Sequence, residues 1–215
     1  GGYGVFFDNH YRHTWSFVEP GRWWVESAGG AHSYYFVYGP GMREVLERYT
    51  RLTGRPALPP RWALGLLQSK FGYRDWGEVL ATAERLRAEG IPADALVLDL
   101  YWFGGVPHFG GAKRMGSLAW DERNFPDAAT HIARLREMGF RVVLIEEPYV
   151  DEATANFEEG REGGFFALRD GRPALVETWF GRCALVDFTN PAARAWWWEK
   201  HRPLVEDGVA GWWVD

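Results

Sequence analysis

The sequence predicts an α/β fold, in which a short β-rich region is followed by a parallel sheet whose strands alternate with helices. Four short aromatic and β-branched runs occupy residues 1–38, whereas from about residue 58 apolar runs alternate with segments of helical periodicity. Three of the later apolar runs end on a carboxylate, and parallel strands present their carboxyl ends at one face of a sheet. This alternation is compatible with half of an eight-stranded barrel and with a doubly wound sheet.

The N-terminal region is predicted to be the end of a β-sandwich, because four strands this short are too few for a domain of their own. Turn-forming pairs such as Pro20-Gly21 and Gly29-Gly30 separate the runs. The predicted strands are Tyr3–Phe7, Thr14–Val18, Arg22–Glu26 and Ser33–Tyr38. A helix from Met42 to Leu52 and a proline-rich linker follow. We therefore place a domain boundary near residue 57, giving domains 1–57 and 58–215.

The second domain is predicted to contain four strands joined by three helices. Asp75 and Glu78 form a capping-box-like helix start, Pro126 opens the second helix, and Asn190-Pro191 caps the third. The predicted strands are Trp62–Gln68, Ala95–Leu98, Arg141–Ile145 and Gly211–Asp215. A long insertion with charged and glycine-rich stretches, residues 150–188, interrupts the alternation. Loops of this length in a compact domain are usually functional.

Composition excludes several classes of protein. A net charge of −5 argues against nucleic-acid binding, which a clustered basic patch would support. Cys183 is the only cysteine, so an internal disulfide and a thiolate metal cluster are excluded. Neither a signal peptide nor an apolar stretch of membrane-spanning length is recognisable. The chain starts without Met and we expect both ends to be truncated, so the cellular compartment, cytoplasmic or periplasmic, stays open.

The strand-end carboxylates and the aromatic content together suggest a carbohydrate site. The three carboxylate positions are Asp99, Glu146-Glu147 and Asp215. The chain has 13 Trp and 17% aromatic residues. Aromatic rings stack on the apolar faces of sugars, and carboxylates bind sugar hydroxyls. Core packing explains many of these aromatic residues equally well.

Ordered motifs along nearly the whole chain resemble glycoside hydrolase family 31, the family of α-glucosidases and α-xylosidases. Near the C-terminus the matching pieces are Trp179-Phe180-Gly181, Val186-Asp187-Phe188-Thr189-Asn190-Pro191, Trp197-Trp198 and Gly211-Trp212-Trp213-Val214-Asp215. Further pieces agree in order, namely Tyr3–Asn9, Gln68–Tyr73, Pro92–Trp102 and Asp121–Asp127. Residues 115–121 and 146–150 are most similar to the bacterial branch, which includes 4-α-glucosyltransferases.

The resemblance implies the first half of a (β/α)8 barrel and a retaining mechanism. Asp215 occupies the position of the family's catalytic nucleophile, and Asp99 that of an aspartate holding sugar hydroxyls. Phe71 and Trp179 are expected as walls of the sugar pocket, and Trp213 joins them because strand alternation places it on the side of Asp215. The general acid of the family lies beyond residue 215, so we expect the isolated chain to be inactive.

Other side chains are assigned less directly. Where many family members carry an aspartate on a loop of the N-terminal domain, this chain has Thr14 or a neighbour, which leaves the outer sugar contacts open. Glu147 is expected either to orient the pocket or, as we favour, to form a structural pair with an arginine. The six His residues show no metal-ligand spacing and are expected to be surface or packing residues. No cofactor or metal is predicted.

The predicted function is therefore hydrolysis of α-linked oligosaccharides, with 4-α-glucosyl transfer as the alternative within the family. A non-catalytic carbohydrate-binding protein and an unrelated barrel enzyme that binds phosphate are alternatives of other classes. The expected partner is the oligosaccharide substrate, with neither nucleic acid nor membrane as a partner. The choice of sugar, the linkage and the oligomeric state are left open.

Overall fold

A computed structural model describes residues 2–215, which form two compact units. The first unit ends at Leu58 and the second comprises Pro59–Asp215. No helix within these residues has the length and the apolar character needed to cross a bilayer.

The first unit contains two antiparallel strand pairs and one helix. Its elements are β1 (Gly2–Phe7), β2 (His13–Ser16), β3 (Trp24–Ser27), β4 (Tyr34–Gly39) and α1 (Met42–Thr53). Strand β1 pairs with β4, and β2 pairs with β3. Each of the four predicted strands is present, with its ends shifted by at most two residues. The β-sandwich to which we assign these strands remains a prediction.

The second unit begins with alternating parallel strands and helices. Its first elements are β5 (Leu67–Ser69), α2 (Trp76–Ala88), β6 (Ala95–Leu98), α3 (Ala128–Glu137) and β7 (Arg141–Glu146). Helix α2 begins as predicted, because a carboxylate oxygen of Asp75 accepts a hydrogen bond of 2.8 Å from the backbone N–H of Glu78.

Two predicted boundaries in this part were wrong. The strand predicted from Trp62 begins only at Leu67, because residues 61–64 form a 3-10 turn directly after the prolines. Pro126 lies outside α3 instead of opening it. Asp127, which precedes the helix, adopts a left-handed conformation with φ of 49° and reorients the chain before the first helical residue.

The insertion after β7 is a small folded subdomain. Its elements are β8 (Tyr149–Asp151), α4 (Ala155–Glu162), β9 (Leu168–Arg169), β10 (Arg172–Pro173), β11 (Leu175–Thr178) and β12 (Gly181–Leu185). Strands β11, β12 and β8 form a three-stranded antiparallel sheet, and β9 and β10 form a hairpin. The chain then continues into α5 (Pro191–Asp207) and β13 (Gly211–Val214).

The central sheet has the strand order β13-β7-β6-β5, and each strand is parallel to its neighbours in the sheet. Each strand after β5 thus lies beside the strand that precedes it in the alternation of strands and helices. This sequential order agrees with a segment of a barrel, whereas a doubly wound sheet reverses its order at a switch point. Closure into a complete barrel remains a prediction.

The two faces of the sheet bury different sets of side chains. Leu96, Leu98 and Leu144 belong to the main core, which includes the buried stripes of the helices. Ala95, Val97 and Val143 belong to a separate, smaller cluster together with Trp62 and Leu67. We call the face of this smaller cluster the inner face. Because side chains alternate along a strand, it continues on β6 and β7 to the residues that follow these strands.

Candidate active site

Three carboxylates lie at the carboxyl ends of three adjacent strands. Asp99 follows β6, Glu147 follows β7 and Asp215 follows β13. By strand alternation Asp99 has the parity of Ala95 and Val97, and Glu147 has that of Val143, although Ile145 between them packs in the main core. The pairing of Gly211 with Val143 gives Asp215 the same parity as Glu147. The sheet therefore brings all three to one end and one face.

The carboxylates are close enough to repel one another. Burial, which is the largest cause, and the charges of Asp215 and Asp99 together raise the pKa of Glu147 from 4.5 to about 7. Burial also raises the pKa of Asp99, against a hydrogen bond from the N–H of Leu100, and the charge of Asp215 raises it further. At neutral pH the carboxyl group of Glu147 is thus protonated for part of the time.

Asp99 is held by the turn that follows its strand. It is buried, and one of its carboxylate oxygens accepts a 2.7 Å hydrogen bond from the N–H of Leu100, which starts a 3-10 turn. In that turn, the indole N–H of Trp102 donates to the carbonyl of Ile145 on β7 at 3.0 Å. The turn is therefore fixed to the neighbouring strand, next to Glu147.

Half-exposed aromatic rings link the strand-end loops. The ring of Phe71, after β5, lies 6.4 Å from that of Tyr101 and 4.8 Å from that of Phe109. Phe109 in turn lies 5.8 Å from Trp179, which is in the turn between β11 and β12. Phe71, Phe109 and Trp179 are 52%, 47% and 51% exposed. Phe71 and Trp179 thus share one aromatic neighbour and offer open ring surface for stacking.

Two glycines, Gly72 and Gly181, allow the close backbone contacts that position the rings of Phe71 and Trp179. Gly72 has φ of 70°, and a Cβ on it would lie 2.1 Å from the ring of Tyr101. Gly181 has φ of 138°, and a Cβ on it would lie 2.4 Å from a carboxylate oxygen of Asp151. The hydroxyl of Thr178 closes the Trp179 turn by donating to the carbonyl of Gly181 at 2.6 Å.

Trp213 lies on the inner face of β13. Its neighbour Trp212 packs against His201 of helix α5, with ring centroids 4.9 Å apart, and so faces the helix layer. Strand alternation gives Trp213 the opposite direction, which it shares with Asp215 because β13 stays paired with β7 through Val214. Trp213 is 40% exposed.

Two expectations from the sequence need correction. Glu147 has no arginine or lysine partner among the ion pairs formed by residues 2–215, and its charged neighbours are carboxylates instead. His201 is a buried side chain that contacts the carboxylate of Glu146, so packing alone does not describe it. Within the described part of the chain, no three His, Cys, Asp or Glu side chains are arranged so that they could hold a metal ion.

Phe109 and the contact between His201 and Glu146 were missed at the level of the sequence. Phe109 lies in a glycine-rich loop without periodicity, so no pattern placed it beside Trp179. For His201 a signal was available, because Ala193, Trp197 and His201 recur every four residues, and this spacing marks the buried face of a helix.

Comparison with known proteins identifies the family. The model of the glycosyl hydrolases family 31 TIM-barrel domain matches residues 56–215. Alpha-glucosidase 2 of Bacillus thermoamyloliquefaciens is 37% identical over 217 residues, covering 99% of this chain and 26% of that protein. Alpha-xylosidase XylQ of Lactiplantibacillus pentosus is 32% identical, covering 97% of this chain and 27% of that protein. The chain therefore belongs to glycoside hydrolase family 31.

Solved structures of the same family are similar as well. The family 31 dextranase of Flavobacterium johnsoniae, in complex with glucose, superposes with a TM-score of 0.85 at 29% identity. The match covers 99% of this chain and 26% of the dextranase. The chain thus spans about a quarter of the length of the relatives that it matches.

Proposed function

We propose that this protein is a retaining α-glycoside hydrolase of the α-glucosidase type, which hydrolyses the O-glycosyl bonds of α-linked oligosaccharides. The observation that carries the proposal is the position of Asp215 on the inner face at the end of β13, beside Asp99 and Glu147. Membership of family 31 and the names of the relatives, α-glucosidases and α-xylosidases, support the reaction class.

In this proposal the reaction proceeds by double displacement. A carboxylate oxygen of Asp215 attacks the anomeric carbon, the bond from that carbon to the leaving oxygen breaks, and a glycosyl ester forms. A general acid, which we place outside these 215 residues, protonates the leaving oxygen. The same group then takes a proton from water, which attacks the ester and releases the sugar with its original configuration.

The remaining predicted residues bind the sugar. The carboxylate of Asp99 accepts hydrogen bonds from adjacent hydroxyls, and charge makes such bonds stronger than neutral ones. Phe71, Trp179 and Trp213 contribute aromatic faces for the apolar side of the ring. The contacts of Phe71 and Trp179 with their shared neighbour Phe109 and the exposure of Phe71, Trp179 and Trp213 support these roles.

The proposal extends to the architecture. We assign residues 58–215 to the first half of a catalytic (β/α)8 barrel and residues 1–57 to the end of an N-terminal β-sandwich with its linker. A 4-α-glucosyltransferase would use the same nucleophile and differ in the acceptor that attacks the ester. Chromatography of the products formed from maltooligosaccharides separates the two activities, because transfer yields longer oligosaccharides.

The nucleophile is tested by the substitution Asp215→Ala in the full-length enzyme. We expect turnover of an activated aryl α-glucoside to fall on the order of 10⁴-fold or more, while binding of the sugar largely persists. Azide should restore part of the turnover and yield a glycosyl azide of inverted configuration, because it takes the place of the missing carboxylate. Glu122→Ala, which removes a carboxylate from an exposed loop, is the control. Near-native turnover of Asp215→Ala without azide would contradict the assignment.

A further inference from the structure

His201 and Glu146 form a buried polar contact between helix α5 and the end of strand β7. Their exposed fractions are 5% and 8%. The ring nitrogen Nε2 of His201 contacts a carboxylate oxygen of Glu146, and Nδ1 lies 2.7 Å from the backbone carbonyl oxygen of Trp197. The mechanism proposed above uses neither side chain.

The two contacts determine how many protons the pair holds. A carbonyl oxygen only accepts, so Nδ1 of His201 carries a proton and donates to Trp197. A neutral imidazole has one N–H, and Nε2 would then present a lone pair to the carboxylate. The contact with Glu146 therefore requires one more proton, held either by Nε2 as an imidazolium or by the carboxyl group. A buried pair of this kind is satisfied only while that proton is present.

The surroundings isolate this proton from other charges. Aromatic rings pack around the imidazole, with centroids at 5.5 Å for Trp197, 6.4 Å for Trp198 and 4.9 Å for Trp212 on β13. The neighbouring cations on α5, Lys200 and Arg202, are paired with Glu159 and Glu199. Among the described residues, Glu146 is the group whose charge acts on His201.

Glu146 connects this pair directly to the proposed nucleophile. Its backbone carbonyl accepts a 3.0 Å hydrogen bond from the N–H of Asp215. Glu146 is also the register partner of Val214 and the residue before Glu147. A displacement of Glu146 therefore moves the backbone of Asp215 and of Glu147.

We propose that His201 and Glu146 are a positioning pair, which by sharing a proton fixes the ends of β7 and β13 and thereby the carboxylate of Asp215. The inference rests on the proposed role of Asp215. A misplacement of about 1 Å in a catalytic group lowers rates by about 10²-fold, so a device that fixes the strand end affects turnover more than substrate binding.

The pair also predicts how this positioning depends on pH. Burial lowers the pKa of His201, but the hydrogen bonds to Glu146 and Trp197 and the charge of Glu146 outweigh it, so the pKa lies above its ordinary value. The stabilisation is complete below the pKa of an unfolded histidine, about 6.5, and is lost as pH rises through the pKa of the folded protein.

The test uses the full-length enzyme with an α-glucosyl fluoride, because fluoride leaves without strong acid assistance and the rate then reports the attack by Asp215. We expect His201→Phe to lower kcat by about 10²-fold with a smaller change in KM. Glu146→Gln should lose less, because its amide N–H donates to Nε2 of a neutral His201. In the wild type we expect kcat to decline as the pH rises and His201 loses its proton. In Glu146→Gln we expect this decline to be absent.

Leu204→Ala is the matched control. Leu204 is 1% exposed on the same helix, so its truncation destabilises the packing of α5 without touching Glu146. We expect a lower Tm with kcat and pH profile unchanged. Wild-type kcat in His201→Phe, or an equal loss of kcat in Leu204→Ala, overturns the proposal. If His201→Phe does not fold, Glu146→Gln decides, because an alkaline decline identical to that of the wild type also overturns it.

The outcome for Asp215→Ala separates the two proposals. If that variant is inactive while His201→Phe keeps its kcat, the positioning pair is wrong and the nucleophile stands. If Asp215→Ala stays active, the proposed function fails, and the positioning pair fails with it.

Discussion

Replacing Glu147 by glutamine removes a carboxyl group that the fold keeps from ionising. Burial and, to a smaller extent, the charges of Asp215 and Asp99 together raise the pKa of Glu147 from 4.5 to about 7. Above pH 4.5 the unfolded chain loses this proton, whereas the folded protein holds it until about pH 7. Stability therefore falls as pH rises through this interval, because the folded state binds more protons than the unfolded state.

The size of the effect follows from the two pKa values. The difference between 4.5 and about 7 is about 2.5 pH units, and each unit corresponds to about 1.4 kcal/mol. Ionised Glu147 thus costs the folded protein up to roughly 3.5 kcal/mol well above pH 7, and a neutral amide of the same shape avoids that cost. We expect Glu147→Gln to be more stable than the wild type at pH 8 and to differ little from it near pH 4.5.

The measurement is the Tm of the full-length protein and of the variant between pH 4.5 and 8.5. Glu122→Gln, the same chemical change on an exposed loop, is the control and should show no such pH dependence. A Glu147→Gln protein that is no more stable than the wild type at pH 8 would refute the reasoning. A gain of equal size at both ends of the pH range would do so as well, since it would not come from ionisation.

Two further predictions concern Gly72 and the chain as a unit. Gly72→Ala should lower stability by about 1–3 kcal/mol, because the residue has φ of 70° and its new methyl group would meet the ring of Tyr101; a Tm equal to that of the wild type would contradict this. The isolated 215-residue chain should aggregate and show no glycosidase activity, because β13 and β5 each have only one neighbour in the described sheet. Light scattering and an aryl α-glucoside assay check this, and a monodisperse, active sample would refute it.

The strands of the central sheet were predictable from their apolar runs, and the helices between them from their capping residues. Ala95–Leu98 is apolar throughout and buried on both faces. Because every residue of this strand is apolar, its sequence does not show which side chains lie on the inner face of the sheet. Polar and apolar residues alternate along a strand only when one of its faces is polar. The start of α3 was misplaced for a local reason. Pro126 suggested a first helical position, but the left-handed conformation of Asp127 is set by its surroundings and has no signature in composition.

The candidate site was predictable in its carboxylates but not in its electrostatics. Asp99 and Asp215 end apolar runs, and the rule that parallel strands end at one face places them together. The raised pKa of Glu147 depends on burial and on two charges from other strands, which no local pattern contains. The contact between Phe109 and Trp179 was likewise not predictable from a local pattern, because the two residues are 70 positions apart in the sequence.

The sequential order of the central strands has a consequence for the way in which the protein folds during synthesis. Strands β5, β6 and β7 have all left the ribosome before β13 is made, and in the sheet β6 pairs with β5 and β7 pairs with β6. The negative charges of Asp99 and Glu147 therefore meet that of Asp215 only when β13 joins the sheet. The electrostatic repulsion falls on this step, so we expect acid to accelerate the joining of β13 to the sheet.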